Sequence, residues 1–126
     1  MRYEVIIKTN LEDRPKDHEL SAAFVLANNL QSDVIFLRPS ANKTPDIDVN
    51  GTKWEIKSPK GTSKKTIENN LRTARKQSDN IVIDLQRSKM HLTRAISRIN
   101  FYLRTDSHRI KHLKVLSKTG RVIDIL

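Results

Sequence analysis

Residues 44–57 read Thr44-Pro45-Asp46-Ile47-Asp48-Val49-Asn50-Gly51-Thr52-Lys53-Trp54-Glu55-Ile56-Lys57. Two alternating runs, Asp46–Val49 and Lys53–Lys57, flank Asn50-Gly51, the dipeptide that best closes a two-residue hairpin. Side chains on a strand alternate between faces, so Glu55 and Lys57 share one face and Trp54 and Ile56 turn the other way, into a core. Folding the hairpin closed puts Asp46 opposite Glu55, two carboxylates beside one ammonium. Clustered carboxylates repel unless a cation lies between them. Mg²⁺ binds through one or two carboxylates and keeps waters for its remaining positions. The competing reading places Glu55 and Lys57 in exposed cross-strand ion pairing on a half-buried strand.

Upstream, Tyr3–Lys8 alternates weakly and predicts a short strand or arm, and Leu11–Lys16 with Pro15 predicts a loop. Asp17–Gln31 predicts a helix with Asp17 as its N-cap and Leu20, Ala23, Phe24, Ala27 and Leu30 at helical spacing. Val34–Leu37 is a compact apolar strand, and Pro39–Thr44 is a loop. Downstream, the polar loop Ser58–Lys65 leads into a helix from about Ser63 to Ser78, its apolar stripe being Ile67, Leu71 and Ala74. Ile81–Leu85 is nearly all apolar and predicts a central strand covered on both faces. A helix over Lys89–Arg104 follows, then strands at Ile110–Leu116 and Arg121–Leu126 around a Lys118-Thr119-Gly120 turn. The order β-α-β-β-β-α-β-α-β-β predicts a single-domain mixed-sheet α/β sandwich over residues 1–126, with helices flanking the sheet.

A 126-residue chain without cysteine builds neither a disulfide scaffold nor a thiolate site, and its size supports a core without a metal staple. Apolar runs of four or five residues are too short to span a membrane, and MRYEVIIKTNLEDR lacks the pattern of a signal peptide, so a soluble, reduced-compartment protein is expected. The charge is lopsided. Residues 1–52 carry six basic and eight acidic side chains, whereas residues 53–121 carry 18 basic and five acidic, a net of +13. Such an excess points to a polyanion, most commonly nucleic acid.

Lys60, Gly61, Thr62, Ser63, Lys64 and Lys65 form a basic loop ahead of a helix and offer N–H, hydroxyl and ammonium groups to phosphates. Arg72, Arg75 and Lys76 on the helix, with Arg87, Lys89, Arg94 and Arg98 beyond, extend a candidate phosphate-tracking surface. His108 and His112 stand four apart but lack a third ligand and fall in a loop and strand, so they are not expected to bind metal. His18 reads as a solvated helix start, and no Ser–His–Asp arrangement or Walker spacing is present.

Pro45-Asp46 followed by Glu55-Ile56-Lys57 resembles the PD-(D/E)xK motif of the restriction-endonuclease-like nucleases, whose helix, three-strand meander, helix and strand match residues 17–85. By that resemblance Asp46 and Glu55 bind a divalent metal, Mg²⁺ first with Mn²⁺ and Zn²⁺ as alternatives, and Lys57 orients or deprotonates the attacking water. Glu19 takes the place of an additional acidic ligand. Gln77 resembles a polar residue some members project into the site, although Ile81 stands where that variant carries Tyr.

A longer resemblance, DVNGTKWEIKSPKGTSKKTIENNLRTARKQSDNIVIDL, is to the C-terminal nuclease domains of contact-dependent growth-inhibition (CdiA) toxins, over roughly residues 17–126. Such domains are the tips of secreted toxins acting in the cytoplasm. Many cut tRNA, and a cognate immunity protein holds each inactive. They comprise a metal-dependent type and a metal-independent ribonuclease type, and the Asp46/Glu55/Lys57 set favours the first. The resemblance implies a metal-dependent endonuclease acting on RNA, tRNA in particular, restrained by an acidic immunity protein. A DNA endonuclease with the same site, a metal-independent ribonuclease and a non-catalytic nucleic-acid-binding module are the alternatives.

Overall fold

The computed structural model describes residues 3–39 and 45–126, so the expected loop at 39–44 lies mostly outside the described residues. Among the described residues seven strands form one mixed sheet in chain order: β1 Val5–Ile7, β2 Val34–Phe36, β3 Ile47–Val49, β4 Thr52–Lys57, β5 Asn80–Asp84, β6 His112–Leu116 and β7 Val122–Asp124. Helix α1 (Asp17–Leu30) connects β1 to β2, α2 (Thr66–Ala74) connects β4 to β5, and α3 (Leu92–Thr105) connects β5 to β6. Each of these three helical connections joins parallel neighbours, and the remaining pairs are antiparallel. The mixed α/β sandwich expected from the element order is the fold observed.

The helices lie on opposite faces because β5 is apolar on both. Ile81 and Ile83 pack with Ile67 and Leu71 of α2 and Ile99 and Tyr102 of α3, whereas Val82 packs with Ala23 and Leu26 of α1. All three β5 residues are buried, as a strand paired on both edges and covered on both faces requires. Asn50 and Gly51 have φ of +52° and +86°, the left-handed pair that closes a tight hairpin without splaying its strands. Trp54 and Ile56 are buried on the α1 face, as the alternation predicts.

Some boundaries differ. The second helix begins at Thr66 and ends at Ala74, because Ser63 and Thr66 bond to each other and residues 75–77 turn toward β5. Lys16, not Asp17, occupies the N-cap of α1, and Glu19 reaches back to accept its N–H at 3.0 Å. The buried stripe of α1 is Ala22, Ala23, Leu26 and Ala27, which leaves Phe24 outside and 53% exposed. Apolar residues ring much of α1, so periodicity alone left its rotation open.

Candidate active site

Strand register assembles the site. Ile47 lies opposite Trp54, and Asp46 continues that ladder, its N–H donating to the Trp54 carbonyl at 3.1 Å. The Asp46 side chain turns across the hairpin and accepts the Ile56 N–H through Oδ2 at 2.9 Å. It is thereby fixed beside Glu55. Lys57 Nζ reaches Glu55 Oε2 at 3.4 Å, as expected for side chains two apart on one strand face.

Glu55 is only 5% exposed, so the solvated ion-pair reading does not hold. Its Oε1 is buried and has no hydrogen-bond donor among the described residues. Burial first, and the neighbouring Asp46 charge second, push the Glu55 pKa from 4.5 up to about 7, while Lys57 pulls it down. Burial also raises the Asp46 pKa against the lowering effect of the Ile56 N–H. Two carboxyl groups this close cannot both ionise comfortably. Either Glu55 keeps a proton that it shares with Asp46, or a cation takes the proton's place.

Glu19 lines the same cleft as Asp46, a hollow of about 250 Å³ between the residue 12–16 turn, α1 and the end of β2. Its charge raises the Asp46 pKa, although its Oε1 is engaged at the start of α1. Among the described residues no group of three or more His, Asp or Glu is placed to hold a metal ion. The available donor set is therefore Asp46 with Glu55. It fits a hard divalent cation that keeps waters, because Mg²⁺ needs only one or two carboxylates and Glu55 Oε1 has no hydrogen-bond partner among the described residues.

The basic loop follows Lys57 directly. Lys60, Thr62, Ser63, Lys64 and Lys65 are all exposed beside the start of α2. Gly61 packs so closely on Thr66 that a Cβ would come within 2.9 Å of its Oγ1. Asp84, missed as a site residue because IVIDL reads as an apolar strand, is fully buried and accepts the Ser58 hydroxyl at 3.2 Å. Arg87 Nε donates to the Ser58 carbonyl at 3.1 Å. Together they pin the root of the basic loop. The one charged residue in that strand was the available signal.

Gln77 stands apart. It lies in the turn before β5, near the opposite end of β4 from Lys57, where Ser78 and Asn80 donate to the Lys53 carbonyl. Its buried Oε1 has no partner among the described residues. Arg98 leaves the expected phosphate-tracking surface to pair with Glu68 and cover the Phe101 ring. His108 is held by the Leu103 carbonyl and the Ile110 N–H, and His112 lies against Trp54, so the two form no metal pair. His18 is half-buried in the first turn of α1.

No helix among the described residues is long and apolar enough to cross a membrane. No curated protein sequence matches the chain. A solved structure, the CdiA-CT/CdiI toxin and immunity complex from Burkholderia pseudomallei, contains a similar chain with a TM-score of 0.66. The match covers 97% of this chain and 98% of that chain at 20% identity, which establishes a shared fold. The family model for the contact-dependent growth inhibition CdiA C-terminal domain matches residues 43–122, a span that takes in the hairpin carboxylates, the basic loop and the central strands. By that match the chain belongs to the CdiA C-terminal domain family of contact-dependent growth inhibition.

Proposed function

We propose that this chain is a metal-dependent nuclease toxin of the PD-(D/E)xK type that hydrolyses RNA, with tRNA its foremost substrate. The observation that carries the reading is the buried Asp46/Glu55 pair with Lys57 against it. Two carboxylates facing one another would oppose an anionic ligand, so pure nucleic-acid binding leaves them without a role. Asp46 and Glu55 would hold the cation, and Glu19 shares a cleft with Asp46. When bound, Mg²⁺ supplies charge neutralisation at the scissile phosphate and a more acidic water. Lys57 donates hydrogen bonds from its ammonium, orienting the attacking water and stabilising charge that grows on the phosphate oxygens. Lys60, Lys64 and Lys65 hold the flanking backbone.

The preference for tRNA and the restraint by an immunity protein rest on kinship with the CdiA C-terminal domains. The solved toxin and immunity complex supports a partner of the second kind. Incubating the chain with labelled total RNA and plasmid DNA, in Mg²⁺, Mn²⁺, Zn²⁺ or EDTA, tests the reading. Metal-dependent RNA cleavage is expected. Undiminished cleavage in EDTA would replace it with a metal-independent ribonuclease, and metal-dependent cleavage of DNA alone with a DNA endonuclease.

A further inference from the structure

At the other end of the sheet a second basic site takes shape. Arg75 and Lys76, just past α2, and Ser107 and Arg109, between α3 and β6, line a basin of about 460 Å³. Arg75 is preorganised: its guanidinium donates to the Ser107 carbonyl and lies 5.9 Å from the centre of the Tyr102 ring. A guanidinium has five N–H donors, so most remain for a ligand. Lys76 and Arg109 are exposed and make no ion pair among the described residues. Asp79 is the one acidic residue of the lining, which leaves it net positive.

Helix α2 links this basin to the candidate active site. It starts after the basic loop that follows Lys57 and runs back to the N-terminal end of β5. Asn69 and Arg72, three apart on α2, share one face and are exposed, as are Lys65 at the start of the helix and Lys76 beyond its end. Arg72 keeps half its side chain in solvent despite its bond to Asp106. The register sets Lys57 opposite Ile83, four strand positions from Asp79 in the basin lining, or roughly 13 Å along the sheet.

We infer that the Arg75/Lys76/Arg109 basin is a second phosphate-binding subsite that grips a nucleic-acid strand away from the scissile bond. The inference rests on the nuclease reading and specifies its substrate as a strand long enough to lie along α2, since short fragments miss the second anchor. A phosphate-bearing strand suits the site better than an acidic protein surface, because the cationic groups form a line ending in a concave pocket of preset guanidinium geometry.

The test measures fluorescence anisotropy in EDTA, with RNA and DNA strands of about twelve nucleotides and with dinucleotides, across a salt series. Relative to the unmodified chain, Lys76→Ala with Arg109→Ala should weaken binding of the longer strand about tenfold and flatten its salt slope by about 1.4, two contacts' worth. Binding of the short strand should not change, and Arg109→Lys should restore most of the loss. Circular dichroism confirms that the variants fold. An unchanged long-strand affinity, or an equal loss on the short strand, overturns the subsite while leaving the nuclease reading intact. Failure of the unmodified chain to bind either strand overturns both.

Discussion

Asp46 reaches across the β3–β4 hairpin and accepts the backbone N–H of Ile56 at 2.9 Å, between the two residues, Glu55 and Lys57, whose side chains face it. One carboxylate thus does two jobs: it accepts the Ile56 N–H across the hairpin and supplies half of the buried acid pair.

Separating those jobs is a matter of side-chain chemistry. Asp46→Ala leaves the Ile56 N–H without its acceptor and should destabilise the fold by ~1–3 kcal/mol in urea unfolding. Asp46→Asn keeps an acceptor and should retain most of that stability. Both should lose cleavage, because neither offers the charge a hard cation needs. A fully active Asp46→Asn enzyme would remove Asp46 from the metal site.

Stability should respond to pH through Glu55. Its pKa is raised from 4.5 to about 7, so the folded state favours the protonated form. That contribution is complete below about pH 4.5 and is lost as pH rises through 7, on the order of 3 kcal/mol. In EDTA, the stability difference between the unmodified chain and Glu55→Gln should shift in favour of Gln by that order across this window. Added Mg²⁺ should recover stability at pH 8, since a ligand that binds only the native state stabilises it. A pH-independent difference would show that Glu55 is not strained by its burial.

Chemistry and binding should divide between Lys57 and the loop beyond it. Lys57→Met removes one donor from the reacting phosphate and should slow cleavage about 10²–10³-fold with little change in affinity. Joint replacement of Lys60, Lys64 and Lys65 by Ala should instead weaken binding and flatten its salt dependence by roughly one unit per lost contact. Similar losses of affinity in both variants would reduce Lys57 to another surface cation.

A restraining partner should be acidic, to match the net +13 of residues 53–121. Its association should exceed the neutral range of about 10⁵–10⁶ M⁻¹s⁻¹ and slow as salt rises. The unmodified chain should be toxic when expressed alone, and Glu55→Gln should relieve the toxicity. Harmless high-level expression of the folded, unmodified chain would argue against a toxin.

Much of the site was legible because its parts are close in sequence. A two-residue Asn50-Gly51 turn permits one register, and that register alone brings Asp46 to Glu55 and turns Trp54 inward. The alternation in 52–57 and the apolar run at 81–85 likewise determined two strands, since side-chain period and strand burial follow from local backbone geometry.

Depth and partnership were decided by the tertiary structure. Glu55 looks like a surface acid in WEIK, yet packing around β4 leaves it 5% exposed and shifts its proton affinity by desolvation. Asp84 vanished into an apolar strand until Ser58, 26 positions away, met it. Arg75 and Arg98, similar as basic helix residues, were separated by contacts 30 and more residues distant: Ser107 orients one toward a basin, and Glu68 draws the other into a bridge between α2 and α3. Local sequence specifies register because a short turn fixes it, whereas burial and pairing depend on chain segments that only the complete packing brings together.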